Sequence, residues 1–390
     1  MLKIKFANDI KNGKKRLAIF GAGRYGRVMF LVMQDMGIPV HTFLDNNPKN
    51  DGTEVIYGVK CSLPHGSHEN MVCVIAVNDI YLNTICEQAI KLKFAEIIPC
   101  TNYQMEQLIT KFDDEIWIKR LYAGLYNQEI DLVNPKSFIE KLNWLKLYCR
   151  KPEHTIMADK YASRKYVADT IGNKYLIPLI GGPWSSYDEI NFEELPNQFV
   201  LKCTHDCGSV FICENKDSIN HGLLRERFQR KLQANFFYLY REWQYKNIPP
   251  KIIAEKFIQE PTGGLRDYRF FCFHGEPKTV WVEYDRHKSN FFKSPPGYYF
   301  YAHNWKNTGF TTSYPAKEYE DISPPARLDE MMNIARELSK NLLHARVDLY
   351  NVGEDVFFSE ITLHHYGGFV KFFPEEWNLR LGEWVDLSKV

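Results

Sequence analysis

The stretch Arg16-Leu17-Ala18-Ile19-Phe20-Gly21-Ala22-Gly23-Arg24-Tyr25-Gly26 constrains this chain most. A short apolar strand runs into a Gly-x-Gly-x-x-Gly turn, and apolar residues at helical spacing follow at Val28, Leu31, Val32 and Met36. Glycine permits the sharp turn and leaves backbone N–H groups bare at the positive end of a helix, where a diphosphate can approach. The alternation continues: Val40–Leu44 and Met71–Val77 read as strands, Tyr81–Leu92 as a helix, Glu96–Cys100 as a further strand. Apolar strands alternating with helices predict a parallel sheet covered on both faces. Residues 1–104 are therefore expected to form a Rossmann-like, doubly wound domain. Asp45 closes the second strand, where an acidic side chain can take a ribose hydroxyl. Gly21, Gly23, Gly26 and Asp45 are the candidate contacts for a nucleotide or nucleotide sugar, with NAD or no ligand as the alternatives.

Residues 105–150 carry helical patterns interrupted at Pro135 and read as a helical bridge. From 151 to 390 the chain changes to short β-branched and aromatic strands among loops rich in Pro and Gly, an α+β pattern. Composition narrows the function classes. Lys and Arg number 49 against 48 Asp and Glu, a formal net charge of +1, which argues against nucleic acid as a partner. No apolar run approaches the roughly 18–20 residues that span a bilayer, and no signal-peptide core follows the basic Met1–Lys15, so no membrane insertion is expected. Nine cysteines without secretory signals fit a reduced, cytoplasmic protein.

Three constellations in the second half carry chemistry. Lys202 leaves the strand Gln198–Cys203 and enters the turn-prone loop Thr204-His205-Asp206-Cys207-Gly208-Ser209, an arrangement suited to gripping phosphate oxygens. The alternation of Cys203, His205 and Cys207 along one strand face suggests zinc as an alternative. Ile252–Ile258 reads as a strand that at a domain hinge could offer backbone groups to an adenine edge and a carboxylate to its amino group, the alternative being a plain strand with one polar face. The sharpest constellation is Ala345–Tyr350 and Val356–Thr362 around a turn containing Gly353, a β-hairpin. A turn centred on Glu354 sets Asp348 opposite Glu360, Arg346 opposite Thr362 and Tyr350 opposite Phe358. Two facing carboxylates repel unless a cation lies between them, and a pair of carboxylates completed by phosphate oxygens is a normal Mg²⁺ site. Arg346 on that face would steady an anionic intermediate. His364 and His365, being adjacent, point to opposite sides of an extended chain, which argues against a shared metal and leaves hydrogen bonding or packing to each.

In order along the chain, Asn134–Lys146, Ala158–Val167, Leu195–Lys202, Arg241–Tyr245, Ala345–Tyr350 and Pro374–Trp377 resemble the TupA-like group of the ATP-grasp superfamily, found in bacterial surface-polysaccharide gene clusters. The resemblance implies ATP and Mg²⁺ as cofactors. Lys160 and Lys202 match the lysines that hold ATP phosphates, Thr204–Ser209 the mobile phosphate loop, with Ser209 a ligand contact, and Glu255 the adenine-contacting acid. Arg269 matches a basic residue near the terminal phosphates, Asp348 and Glu360 the metal carboxylates, and Arg346 the arginine that steadies the reacting acyl group. Thr362 stands where many ATP-grasp enzymes carry Asn, and the phosphate loop holds a single glycine, Gly208. The expected activity is ATP-dependent, ADP-forming ligation of a sugar carboxylate to a small-molecule amine during capsule or O-antigen-type polysaccharide synthesis. Arg346, Lys202 and Arg269 are the expected catalytic residues. Two alternatives are an NAD(P)-dependent oxidoreductase of sugar nucleotides and a non-catalytic nucleotide-binding scaffold. A homo-oligomer is left open.

Overall fold

The computed structural model describes residues 7–259, 265–284, 297–302, 304–312 and 322–389. Met1–Phe6, the start of the basic N-terminal stretch, lies outside them. The chain divides into two compact units, Met1–Ile130 and Asp131–Val390. Among the described residues, no helix is long and apolar enough to cross a membrane.

In the first unit, β1 (Arg16–Phe20), β2 (Thr42–Leu44), β3 (Glu54–Ile56), β4 (Val59–Ser62), β5 (Met71–Ile75) and β6 (Glu96–Pro99) form one sheet in the order β3-β4-β2-β1-β5-β6. Every neighbouring pair is parallel except β3 with β4, which is antiparallel at the edge. The central strands are apolar because both faces are covered: Leu17–Phe20 and Val72–Ile75 are almost fully buried. Two glycines of the first turn are dictated by packing. Gly21 has φ +110°, and a Cβ there would sit 2.6 Å from the Ala76 carbonyl oxygen; a Cβ on Gly26 would sit 1.7 Å from the Gly21 carbonyl oxygen. The helices Asn102–Ile109 and Asp114–Tyr126 belong to this unit, whereas Phe138–Tyr148 belongs to the second.

The second unit holds two antiparallel sheets. The smaller, in the order β7-β10-β8-β9, comprises β7 (Leu179–Trp184), β8 (Phe199–Cys203), β9 (Val210–Cys213) and β10 (Ile252–Lys256), backed by the helix His221–Gln233. The larger, in the order β13-β12-β11-β15-β16, comprises β11 (Asp267–Phe273), β12 (Glu276–Tyr284), β13 (Gly297–Ala302), β15 (His344–Val352) and β16 (Asp355–Thr362). A short ribbon pairs β14 (Thr311–Thr312) with β17 (Phe372–Phe373). One face of the large sheet packs on the amphipathic helix Leu328–Ser339, with Phe270, Val280, Val347 and Leu349 meeting Met331, Ile334 and Leu338 in the core. The opposite face, on alternate residues of the same strands, carries Asp267, Arg269, Arg346, Asp348 and Glu360.

The register of β15 with β16 decides which side chains meet. Val352 pairs with Asp355 across the two-residue turn Gly353-Glu354, where Gly353 has φ +57°. That tight turn sets Tyr350 against Phe357, not against Phe358 as the sequence suggested. A bulge then gives β16 one extra residue, Ser359, between the partners of Leu349 and Asp348. Beyond it Asp348 faces Glu360 and Arg346 faces Thr362, the expected pairs.

Candidate active site

A cavity of about 410 Å³ opens in the second unit, lined by the small sheet on one side and by Asp267, Tyr350, Ser359 and Glu360 of the large sheet on the other. Its volume is in the range of small-molecule sites. Aliphatic side chains of Ile177, Val200, Val210 and Ile212 give it an apolar wall, and Lys160, Lys202 and Lys256 give it cations. The chain just past β10, Phe257 to Gln259, lies along the same cavity.

Lys202 is held by its strand neighbour: its Nζ donates to Glu255 Oε2 at 2.6 Å, while Arg164 Nη1 donates to Glu255 Oε1 at 3.3 Å. Lys160 Nζ donates to the Asp206 carbonyl oxygen. The loop Thr204–Ser209 is tied down from inside. Thr204, His205, Asp206 and Ser209 are buried, His205 Nε2 lies 3.1 Å from the Lys231 carbonyl oxygen, and the Ser209 hydroxyl donates to Asp206 Oδ2. The loop therefore offers Cys207 and Gly208 to the cavity, while Ser209 faces inward. Strand β8 ends at Cys203, so Cys203, His205 and Cys207 do not share a strand face: Cys203 is buried and Cys207 exposed. Among the described residues no group of three or more His, Cys, Asp or Glu is arranged to hold a metal.

The acidic face of the large sheet is a mixed-charge cluster. Arg346 donates from Nε to Asp348 Oδ1 at 2.7 Å, and from Nη2 to Asp348 Oδ2 at 2.6 Å and Glu360 Oε1 at 3.0 Å. Its Nη1 donates to His365 Nδ1 at 3.0 Å. Arg269 donates to Asp267 Oδ2 from Nε at 2.9 Å and Nη2 at 2.8 Å, pairs with Glu283, stands 3.6 Å from Asp348 Oδ2 and lies 5.2 Å over the Trp281 ring. Among the described residues, Arg346 and Arg269 thus bind Asp348, Glu360, Asp267 and Glu283. Burial pushes the Asp348 carboxyl up, to about 7, against the pull of Arg346, and nearby Asp267 adds to the rise. Burial alone would pull Arg346 down, but Asp348 and Glu360 outweigh it and its pKa rises. The arginine stays charged, and the Asp348 carboxyl gives up its proton less readily than an exposed one.

Asp267, Glu283 and Arg164 escaped the reading of the sequence, while His365, expected to hydrogen-bond or pack, bonds to Arg346. Asp267 and Glu283 face each other across β11 and β12, a pairing that the alternation of Asp267-Tyr268-Arg269 hints at only from one side. In the first unit, Asp45 Oδ2 accepts from the Ala22 N–H at 2.8 Å and Oδ1 from the Asn47 N–H at 2.8 Å, so Asp45 braces the glycine turn. Each oxygen keeps a second lone pair for a hydroxyl donor.

Two antiparallel sheets enclosing a lysine-bearing cavity, with arginine and carboxylates on the floor of the larger sheet, define an ATP-grasp enzyme. The family model described as TupA-like ATPgrasp matches residues 140–386, and the chain belongs to that family. Residues 16–82 match the PglD N-terminal domain. No curated protein matches the chain. Similar solved structures include D-alanine–D-alanine ligase from Bacillus anthracis, at 14% identity, 90% of this chain, 86% of that chain and a TM-score of 0.32. N5-carboxyaminoimidazole synthase from Aspergillus clavatus, with ADP and 5-aminoimidazole ribonucleotide, is similar at 11% identity, 90% of this chain, 70% of that chain and 0.30. The ATP-grasp ligase PsnB, with a precursor variant, Mg and ADP, is similar at 9% identity, 96% of each chain and 0.32. Likenesses this distant say nothing about substrate.

Proposed function

We propose that the protein joins a sugar carboxylate, a hexuronic acid on a nucleotide sugar or glycan, to a small-molecule amine at the expense of ATP. The observation that carries this reading is the placement of Glu360, partnered through Arg346 with Asp348, on the floor of a cavity that also presents Lys160 and Lys202. The adenine would lie on the aliphatic wall against the chain past β10, and the lysines would grip the phosphates. The carboxylates fit Mg²⁺: both are hard oxygen donors in facing register, and an octahedral ion is normally completed by phosphate and water. When bound there, Mg²⁺ would neutralise charge on the β- and γ-phosphate oxygens.

A substrate carboxylate oxygen attacks the γ-phosphorus, the bond to the bridging β–γ oxygen breaks, and ADP leaves. The amine then attacks the acyl carbon of the acyl phosphate, inorganic phosphate departs, and the nitrogen loses its proton. Arg346, held charged by Asp348 and Glu360, would take up the negative charge that develops on the acyl oxygen. At the first unit the reading takes a nucleotide or nucleotide sugar at the Gly21–Gly26 turn, because Gly23 leaves the N-terminus of the helix Arg24–Asp35 open to an anionic group.

Hydroxylamine tests the chemistry. With ATP, Mg²⁺ and a uridine-diphosphate hexuronate, hydroxamate and ADP appear in equal amounts. AMP as the stoichiometric product, or phosphate moved stably to a hydroxyl, rejects the ligase reading.

A further inference from the structure

We propose that His365 is a positioning residue for Arg346, and that it sets the direction in which the guanidinium meets the reacting acyl group. The inference rests on the ligase reading above. Three observations carry it. First, His365 is fully buried and its Nδ1 lies 3.0 Å from Arg346 Nη1. A guanidinium can only donate, so Nδ1 carries the lone pair and the ring proton sits on Nε2.

Second, the imidazole cannot turn freely. Phe271 and Trp281 meet it edge-on, with ring centroids 4.9 and 5.0 Å away and interplanar angles of 74° and 83°. The loop that carries it is bent by a left-handed run, Tyr366 at φ 49°, Gly367 at 64° and Gly368 at 75°. Two buried side chains of the helix Phe138–Tyr148 pin that run: Lys146 Nζ donates to the Gly367 carbonyl oxygen at 2.7 Å, and Asn143 Nδ2 to that of Gly368 at 2.8 Å. A buried lysine spent on a backbone carbonyl indicates how firmly this loop is held.

Third, the hydrogen-bond inventory of Arg346 leaves one donor over. Of the five N–H bonds of a guanidinium, Asp348 takes two, Glu360 one and His365 one. The remaining hydrogen is the second one on Nη1, and among the described residues it has no acceptor. Asp348 fixes the guanidinium on its Nε–Nη2 edge; His365 fixes it at Nη1, so the spare N–H keeps one direction as charge develops in the substrate.

The experiment compares His365→Phe, which keeps an aromatic ring without an acceptor, with His365→Asn, which restores an acceptor oxygen. His365→Phe lowers kcat by about 10–100-fold, the usual cost of losing a partner that orients a working group, and leaves the KM for ATP within about twofold, since Lys160 and Lys202 are untouched. His365→Asn recovers most of the kcat. Unchanged kcat in His365→Phe, or an equal loss in folded His365→Asn, overturns the inference. Should His365→Phe fail to fold, the folded Asn variant alone decides: near-normal kcat supports the role, and a His365→Phe-sized loss of about 10–100-fold refutes it. A wild-type protein that forms no ADP-linked hydroxamate counts against the ligase reading instead.

Discussion

Arg346 clasps Asp348, two positions further along the same strand, through two parallel hydrogen bonds of 2.7 and 2.6 Å, and a third bond of 3.0 Å reaches Glu360. The cation between the two facing carboxylates is thus supplied by the chain itself, and the repulsion expected from the sequence is relieved before any metal arrives. Replacing either carboxylate by an amide takes away an acceptor of Arg346 and sets an N–H donor against a donor, so it should cost stability in the metal-free protein.

Asp348→Asn and Glu360→Gln should each abolish turnover, by about a thousandfold or more if the charge of a metal site is lost, while far-ultraviolet circular dichroism stays native. The two should differ in melting temperature. Asp348 is fully buried and accepts two hydrogen bonds from Arg346, whereas the Glu360 side chain is 27% exposed and accepts one. Asp348→Asn therefore lowers Tm more. Arg346→Met strands buried carboxylates and should cost about 3–5 kcal/mol. Equal melting temperatures in all three variants would contradict the cluster as described.

Proton linkage follows from the raised carboxyl of Asp348. Its folded-state pKa, about 7, lies above the ordinary value of 3.8, so the native state holds more protons between them. The contribution of this group to stability is fully present at low pH and is lost as pH rises through about 7. Magnesium needs the ionised form, so the sign reverses for binding: apparent Mg²⁺ affinity should weaken by about tenfold per pH unit below the midpoint. Calorimetry in buffers of different ionisation enthalpy should detect proton release near pH 6 and little at about pH 8. Affinity that is flat across that range would exclude Asp348 as the coupled ligand.

Cys207 is the exposed member of the nine cysteines and lines the cavity beside Gly208. Maleimide should label it first, and ATP with Mg²⁺ should slow that labelling by about tenfold or more through occlusion, as a pocketed ligand buries most of its surface. Mass spectrometry of the Cys207 peptide gives the readout. Undiminished labelling at saturating ATP would place the nucleotide elsewhere.

How much of this was legible depends on the range over which a residue's partners lie in sequence. The hairpin could be read because its period-2 alternation and its Gly353 turn are local, and the facing of Asp348 with Glu360 followed from them. The bulge at Ser359 could not be read, since a tight turn and a one-residue insertion leave the same alternation at a distance. The inward turn of Ser209 depends on Asp206 accepting its hydroxyl. His365 reaches Arg346 only through the left-handed bend that Lys146 and Asn143 secure from more than 200 positions away. Asp267 and Glu283 became visible only with the register of β11 and β12.

The glycine turn of the first unit gives the last prediction, because its three glycines differ in what they do. Gly21 and Gly26 are fixed by the fold: a Cβ on either would strike backbone, at 2.6 and 1.7 Å. Gly23 is different. A Cβ there meets nothing within 4 Å, its φ of −75° suits any residue, and it stands at the N-cap of the helix Arg24–Asp35. Packing therefore gives no reason for glycine at 23, whereas a ligand approaching the helix N-terminus would. Gly23→Val should leave the melting temperature within about 1–2 °C, surface changes of this kind being worth about half a kcal/mol or less. Gly26→Ala should lower it sharply or prevent folding. Calorimetric titration of the full chain with a uridine-diphosphate sugar, in the presence of saturating ATP analogue, should show a binding event in the wild type. Gly23→Val should weaken it by about tenfold or more, the branched side chain occupying the space beside the amides. Equal affinity in wild type and Gly23→Val would remove the turn as the binding site.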